Sequence, residues 1–154
     1  GKVEFGTIQL STNKSAAIAF VHQSTQPAFW VCSVHLTGDP KLDQVRVQEI
    51  KKAIGTQQNQ PFILAGDFNE TEHDVAYRYL QSAGFKSASK HLYHCEPKRT
   101  FKTDRLDRTI DFIFSSSHLE AVEFDCPEIP ANATLPNQYV PSDHIYLRVV
   151  LEFK

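Results

Sequence analysis

Short apolar runs, each followed at once by an acidic, amide or imidazole side chain, recur along this chain. Phe62–Ala65 leads into Gly66–Asn69, and Phe29–Val34 leads into His35. An unbroken apolar run of this length is typical of a buried strand, so the chain is constrained to build a sheet with a covered interior. Strand ends that converge on one edge of a sheet are where α/β proteins place their chemistry, so these polar residues are candidates for a functional site.

The spacing of apolar residues predicts strands in most of the chain. The predicted strands are Ala16–His22, Ala28–His35, Phe62–Ala65, Thr109–Ser115, Ala121–Asp125 and Ile145–Phe153. Together with two helices they give the order β-β-α-β-α-loop-β-β-loop-β. This order favours an α/β fold with a mixed, largely antiparallel sheet and helices packed on one face. At 154 residues the chain is long enough for one compact domain, which we expect to span residues 1–154.

Two helices are predicted from their start and stop signals. The first begins at Asp39, which a proline follows at the first helical position, and ends at Gly55. The second begins near Thr71, with an acidic residue three positions later that approximates a capping box, and ends at Gly84. Lys86–Asp107 shows little periodicity and is predicted to be irregular.

Composition limits the expected partners and compartments. The net charge is −2 and the pI about 6.4, so nucleic-acid binding would have to come from a local site. Three cysteines without framework spacing indicate a reducing, intracellular compartment, the cytoplasm or the nucleus. No apolar run is long enough to span a bilayer, so we expect no membrane partner. The chain has no Met and opens at Gly1 within strand-like sequence, so we expect it to be part of a longer protein.

Gly66–Asn69 is the strongest single motif. Gly66 is predicted to let the chain turn sharply after the buried strand, and the side chains of Asp67 and Asn69 then leave on the same side. A carboxylate and an amide that face one point are suited to orienting a water molecule and a phosphate oxygen. The alternative is a simple turn, because Gly, Asp and Asn are turn residues in any case.

Asp111 interrupts an otherwise apolar strand between Ile110 and Phe112. A buried carboxylate needs a partner, and a histidine is the natural one because the carboxylate fixes its tautomer and raises its basicity. The alternative is an Asp on the solvent face of an edge strand. Alternation along the strand leaves both interpretations open, since both neighbours are apolar.

Ser142-Asp143-His144 precedes the last predicted strand. Asp143 can ligate a cation or neutralise charge, and His144 can donate to a phosphoryl oxygen or accept a proton from water. The alternative is a strand entry with an exposed histidine. His35 alone is also compatible with an ordinary histidine at a strand end.

Two further segments give weaker signals. Lys90–Cys95 offers two imidazoles and a thiol without a fourth ligand at zinc-site spacing, which favours a surface loop. A basic run lies between Lys98 and Arg108, and Asp104 and Asp107 partly offset its charge. We interpret this run as a solvated loop that could contact phosphates. Phe101 and Tyr93 nearby could stack a base. The members of the basic run are Lys98, Arg99, Lys102, Arg105 and Arg108.

Taken together, four segments resemble the endonuclease/exonuclease/phosphatase superfamily, the magnesium-dependent phosphodiesterases built like pancreatic deoxyribonuclease. They are His35-Leu36, Gly66–Asn69, Ile110–Phe114 and Ser142–His144. The chain is most similar to the deadenylase, nocturnin and Angel branch, and Arg46 and Gln48 lie near where this branch carries Arg and Gln. Abasic-site endonucleases are less similar, since they carry an asparagine motif in place of His35-Leu36.

The resemblance implies a role for each candidate residue. Asp67 would activate the attacking water or bind metal, and Asn69 would hold the scissile phosphate and join the metal site. His144, oriented by Asp111, would stabilise developing charge or move a proton. Asp143 would lie near the metal, and His35 would contact the phosphate. The implied metal is Mg²⁺ or Mn²⁺, which with the imidazole would supply the electrostatic stabilisation that phosphoryl chemistry needs.

The resemblance covers only the C-terminal half of a four-layer α/β sandwich. The upstream half, with a metal-binding glutamate and another active-site asparagine, is not in this sequence. One apolar sheet face would then be uncovered, which predicts a partner chain or an N-terminal half that completes the fold.

The implied activity is that of a 3′-exoribonuclease on poly(A)-like RNA. Two alternatives stay open. The first is a non-catalytic interaction fragment that keeps the motif residues. The second is a phosphatase or phosphodiesterase that acts on an inositol phosphate or a phospholipid headgroup.

Overall fold

The fold consists of ten strands and three α-helices in the computed structural model, which describes all residues from Gly1 to Lys154. In chain order the elements are β1 (Lys2–Ser11), β2 (Lys14–His22), β3 (Phe29–His35), α1 (Asp43–Ile54), β4 (Phe62–Asp67), α2 (Val75–Ser82), β5 (Lys86–Ser87), α3 (Ala88–Tyr93), β6 (Phe101–Lys102), β7 (Asp107–Arg108), β8 (Asp111–Ser115), β9 (Leu119–Asp125) and β10 (Arg148–Phe153). A short 3₁₀ helix over Gln57–Asn59 lies between α1 and β4. None of the three α-helices has the length and apolar character needed to cross a bilayer.

Six strands form the main sheet in the order β1-β2-β3-β4-β8-β5. β3 and β4 are parallel because α1 carries the chain back between them, and all other neighbouring pairs are antiparallel. The other strands form two-stranded sheets, β9 with β10 and β6 with β7. The predicted mixed, largely antiparallel sheet is therefore confirmed.

One face of the main sheet is buried under α1 and α2. Phe62 and Leu64 on β4 and Phe112 on β8 are each at most 2% exposed. They lie in one apolar cluster with Ile50 of α1 and Leu80 of α2. Burial of each such side chain stabilises the fold by about 1.5–3 kcal/mol. The prediction that the helices pack on one face is confirmed.

The opposite face of the main sheet is only partly covered. Phe5, Val31 and Ile63 lie in one register row across β1, β3 and β4, and Phe5 at the outer end is 85% exposed. The β9–β10 hairpin covers part of this face, where Phe153 contacts Phe29 edge-to-face at a centroid distance of 5.9 Å. Apolar surface therefore remains exposed over the outer strands, which is typical of a surface that contacts further polypeptide.

Both predicted helices begin later than expected. α1 begins four residues after Asp39, because the Asp39 carboxylate accepts the Lys41 N–H at 2.9 Å and closes a separate turn. α2 begins four residues after Thr71, because the Asp74 carboxylate accepts the N–H and the hydroxyl of Thr71, each at 2.8 Å. In both cases an Asp side chain that was expected to cap the helix closes a turn before the helix begins.

The irregular structure predicted for Lys86–Asp107 is wrong, since this stretch contains β5, α3 and β6. These elements have 2, 6 and 2 residues, too few for an apolar period to show in the sequence. The predicted order also lacks β1, and the last strand begins at Arg148 rather than Ile145. The Ile145 N–H donates to the Thr100 carbonyl at 2.7 Å, so this part of the chain is held next to β6 instead.

A buried ion-pair network fixes the loops that leave β3 and β4. Arg46 on α1 is 2% exposed and pairs with Glu70, which follows β4 and is 1% exposed. The same guanidinium donates to the carbonyls of Thr37 and Asp39 at 3.0 and 2.7 Å. Glu49 on α1 accepts the N–H and the hydroxyl of Thr37 at 2.9 and 2.6 Å. Both loops are therefore tied to α1.

Replacing Arg46 with Ala should destabilise the fold by about 3–5 kcal/mol, because it leaves the buried Glu70 carboxylate without its cation. Urea unfolding would measure this change. The matched control is Arg148→Ala, since the Arg148–Glu123 pair is 60% and 62% exposed and should contribute less than about 1 kcal/mol. Similar unfolding free energies for the two variants would contradict the structural role of Arg46.

Candidate active site

Three strand ends bring His35, Asp67 and Asp111 into one row across the main sheet. The register pairs His35 on β3 with Asp67 on β4, and Asp67 with Asp111 on β8. His35 follows the core residue Val34, and Asp111 precedes the core residue Phe112. Because side chains alternate along a strand, His35 and Asp111 lie on the face away from α1 and α2. We call the three residues the cross-strand row.

His144, from the loop before β10, lies against the two acids of this row. Its Nδ1 is 3.1 and 3.0 Å from Oδ1 and Oδ2 of Asp111, and its Nε2 is 3.9 Å from Oδ2 of Asp67. Nε2 of His35 is 3.7 Å from the same Asp67 oxygen. Ligand atoms of Asp67, Asp111 and His144 all lie within 4.8 Å of one another, and we call these residues the carboxylate–histidine cluster. The structure thus brings four candidate residues together, while their roles stay predictions.

The acids lie deeper than the imidazoles. The side chains of Asp67 and Asp111 are each 16% exposed, against 35% for His144 and 64% for His35. Burial is the main cause that raises the pKa of Asp111, and the charge of Asp67 adds to it. Hydrogen bonds from Thr100 and His144 oppose this rise in the pKa without cancelling it.

Gly66 allows two strands to approach closely, and the sharp turn predicted for it is wrong. It lies inside β4 with a φ of 138°. A Cβ at this position would lie 2.0 Å from the carbonyl oxygen of Val34 on β3. Any side chain here would therefore separate β3 from β4 and disturb the register of the cross-strand row.

Asn69 holds Asp67 and the loop after β3 in place. Its φ is 51°, and its backbone N–H donates to Oδ1 of Asp67 at 2.7 Å. Its Nδ2 donates to the carbonyl of Leu36 at 2.9 Å. Oδ2 of Asp67 faces the two histidines, whereas the Asn69 amide is already engaged by Leu36. Only Oδ1 and one N–H of that amide are left for a ligand.

Asp143 and the Lys90–Cys95 segment lie outside the carboxylate–histidine cluster. The backbone carbonyl of Asp143 accepts the Lys102 N–H at 2.8 Å, and its carboxylate is not part of the cluster. The geometry therefore does not place Asp143 with the other proposed metal ligands. Lys90–Cys95 falls mostly in α3, so its assignment to a surface loop is wrong, and it contributes no residue to the cluster.

Sequence reasoning missed two features next to the cluster. Arg99 and Lys102 form ion pairs with Asp107 at 3.1 and 3.6 Å, and their side chains are only 16% and 9% exposed, so a solvated loop is the wrong interpretation for these two cations. Thr100 is fully buried, and its hydroxyl donates to Oδ2 of Asp111 at 2.7 Å. A single threonine in a stretch without periodicity carries no signal that would have identified it.

The cluster has the donor set of a site for a divalent cation that prefers oxygen. Two carboxylates on neighbouring strands concentrate negative charge, and hard cations such as Mg²⁺ and Mn²⁺ favour carboxylate oxygens. Asp111 is already engaged by His144 and Thr100. Asp67 uses only Oδ1 in a hydrogen bond, so its Oδ2 is the oxygen best placed to bind the ion.

Comparison with known proteins gives a family and two relatives. Residues 4–144 match the endonuclease/exonuclease/phosphatase family. Carbon catabolite repressor protein 4 homolog 4 of Arabidopsis thaliana is 28% identical, over 80% of this chain and 37% of its own length. A probable CCR4-Not complex 3′-5′-exoribonuclease subunit Ccr4 of Vairimorpha ceranae is 25% identical, over 88% of this chain and 34% of its own length. The chain thus spans only about a third of the length of these relatives.

A solved structure shares the fold. The catalytic domain of human nocturnin, determined with a bound sulfate anion, superimposes with a TM-score of 0.77 at 24% identity. The match covers 99% of this chain and 60% of the nocturnin domain. The fold of this chain is therefore shared with about 60% of that domain.

Asp67→Asn should weaken binding of Mg²⁺ or Mn²⁺ by about tenfold or more. Changes in residues that only support a metal ligand already cause a loss of this size. The change removes the carboxylate charge and keeps the size of the side chain. Isothermal titration with each chloride salt would measure it. Asp104→Asn is the control, because Asp104 is 70% exposed and lies outside the cluster. Unchanged affinity in Asp67→Asn would exclude Asp67 as a ligand.

Proposed function

This chain belongs to the endonuclease/exonuclease/phosphatase family, and on that premise we propose that it supplies part of the active site of a metal-dependent phosphodiesterase. The observation that carries the proposal is the position of His144. Its ring lies against Asp111 and opposite Asp67, at the place where three adjacent strands end. An imidazole oriented by a half-buried carboxylate, beside a second carboxylate, is suited to proton movement during attack of water on a phosphodiester.

His144 and Asp111 form the proton-handling pair of the proposed site. Nδ1 of His144 donates to the Asp111 carboxylate, which leaves Nε2 directed towards Asp67. Neutral imidazole in this tautomer accepts a proton at Nε2, and imidazolium donates one there to a phosphoryl oxygen. The pair therefore leaves Nε2 available for proton exchange on the side of Asp67.

Asp67, Asn69 and His35 complete the proposed site. Oδ2 of Asp67 either accepts a hydrogen bond from the attacking water or binds the ion, and the free N–H of Asn69 donates to the phosphate. His35 is 64% exposed beside Asp67, where it can contact the same phosphate from the solvent side. A divalent ion held at Asp67, Mg²⁺ or Mn²⁺, would polarise the phosphoryl group and neutralise its developing charge. The Asp143 carboxylate lies outside the cluster and has no role in the proposed site.

The proposed substrate is the 3′ end of a poly(A)-like RNA. Support comes from the relative named as a probable 3′-5′-exoribonuclease, which is 25% identical to this chain. The hairpin of β6 and β7 beside the cluster offers contacts for a nucleotide. Phe101 packs on the His144 ring at a centroid distance of 4.9 Å, and Leu106 in the same hairpin is 50% exposed. With this substrate, we propose that the protein acts inside the cell, in the cytoplasm or the nucleus.

Further polypeptide should complete the proposed enzyme. The chain covers 60% of the nocturnin domain, and the sheet face that carries the cross-strand row leaves Phe5 85% exposed. We propose that the rest of the domain, in the same protein or in a partner chain, packs on this face and adds ligands to the metal site. Activity of the complete protein is therefore the relevant measurement.

In the complete protein, His144→Ala and Asp67→Ala should each lower kcat on oligo(A) by about 10²–10⁴-fold, because each removes a group that acts on the proton or the water. Release of nucleoside 5′-monophosphate would be followed by chromatography, and circular dichroism would check the fold. His118→Ala replaces an exposed histidine outside the cluster and should retain wild-type turnover.

Three outcomes would overturn parts of this proposal. Undiminished turnover in either variant would reject the role of that residue. Hydrolysis of inositol phosphates or phospholipid headgroups in preference to oligo(A) would replace the substrate. No turnover of any of these compounds by the wild type would favour a non-catalytic interaction role.

A further inference from the structure

Thr100 is fully buried beside the carboxylate–histidine cluster, and all three hydrogen-bonding positions of its hydroxyl are used. The hydroxyl donates to Oδ2 of Asp111 at 2.7 Å. It accepts from the backbone N–H groups of Ile110 and Asp111 at 3.0 and 2.9 Å. A hydroxyl has one proton and two lone pairs, and two backbone N–H groups can only donate. The single proton of Thr100 must therefore point to the Asp111 carboxylate.

The same short segment also holds the backbone of His144. The Thr100 carbonyl accepts the Ile145 N–H at 2.7 Å, and the Lys102 N–H donates to the carbonyl of Asp143 at 2.8 Å. These bonds lie on either side of His144, which forms an antiparallel bridge with the residue between Thr100 and Lys102. Thr100 thus binds the Asp111 carboxylate through its side chain and the backbone next to His144 through its own carbonyl.

We infer that Thr100 is the positioning residue that sets the Asp111–His144 pair. Rotation of a carboxylate about its last torsion is broad and weakly restricted, so a fixed donor is needed to hold one oxygen in place. Oδ2 of Asp111 receives the Thr100 hydroxyl at 2.7 Å, and Nδ1 of His144 lies 3.0 Å from Oδ2 and 3.1 Å from Oδ1. The hydroxyl therefore fixes the orientation of the carboxylate that selects the Nδ1–H tautomer of His144 and leaves Nε2 free on the side of Asp67.

The test compares Thr100→Val, which keeps the shape and removes the hydroxyl, with Thr100→Ser, which keeps the hydroxyl. Long-range ¹H–¹⁵N correlation spectra of the 154-residue chain report the tautomer of each histidine ring. The Nδ1–H tautomer of His144 is expected in the wild type and in Thr100→Ser. Thr100→Val should shift His144 towards the Nε2–H tautomer. A wild-type tautomer in a folded Thr100→Val variant would overturn the inference.

Thr109→Val is the matched control for loss of a threonine hydrogen bond. The Thr109 hydroxyl donates to the Pro97 carbonyl at 2.6 Å and makes no hydrogen bond with Asp111 or His144. This variant should lose stability and keep the His144 tautomer. A similar tautomer change in Thr109→Val would show that general loosening of the segment is sufficient, and it would overturn a specific role for Thr100.

Thr100→Val also leaves two buried N–H groups without an acceptor, so this variant can fail to fold. Thr100→Cys then gives the measurement, because it keeps the size of the side chain and only a weak donor. An intermediate tautomer shift is expected, and a wild-type spectrum would contradict the inference.

The kinetic form of the inference rests on the proposed function. In the complete protein, Thr100→Val should lower kcat on oligo(A) by about 10–100-fold with little change in KM, as for other residues that orient a reactive group. Thr100→Ser should restore turnover. A Thr100→Val variant with wild-type kcat would overturn the kinetic role. A wild type without turnover would overturn the proposed function alone, since the tautomer measurement needs no substrate.

Discussion

β4 is hydrogen-bonded in parallel to β3 and antiparallel to β8, and this register places His35, Asp67 and Asp111 side by side. A shift of one residue in either pairing would move an acid to the helix-covered face, where apolar side chains are packed. The close contact of Gly66 with the Val34 carbonyl belongs to the same constraint, since it lets β3 and β4 approach at the point where both strands end. The geometry of the site follows from this register.

Buried charges serve two different purposes in this fold. Arg46, Glu70 and Glu49 are almost completely buried, and Arg46 and Glu49 bind partners in the loops that follow β3 and β4. They hold backbone in place and face no solvent. Asp67 and Asp111 are half-buried and lie opposite each other on two neighbouring strands. Solvent reaches them on the side of the more exposed imidazoles. Rigid loops beneath an accessible pair of acids are what a site needs when it must position a phosphate and a water molecule within fractions of an ångström.

Much of the fold followed from local patterns, and the failures have local causes. The apolar run Phe62–Ala65 and the helical spacing over α1 and α2 predicted the layers, because burial of these side chains dominates folding. The helix starts were wrong because Asp39 and Asp74 close turns with their side chains, a choice that the same residues make equally well as caps. Lys86–Asp107 shows no periodicity in the sequence because its elements are too short. Within it lies Thr100, whose contacts with Asp111 and with the segment around His144 come from residues more than ten positions away in the chain.

The sequence by itself determined which chemical groups are present and that they lie in or next to strands: Asp67 and Asn69 after one apolar run, Asp111 inside another, and His144 before the last. Apolar periodicity is a local property, so it can be recognised without the fold. Only the tertiary structure decided which groups meet. It paired His144 with Asp111, turned the Asn69 amide towards Leu36, left Asp143 outside the cluster and placed Thr100 beneath the acid. Those outcomes depend on strand register and on hydrogen bonds between distant segments, and neither is encoded in the spacing of residues along the chain.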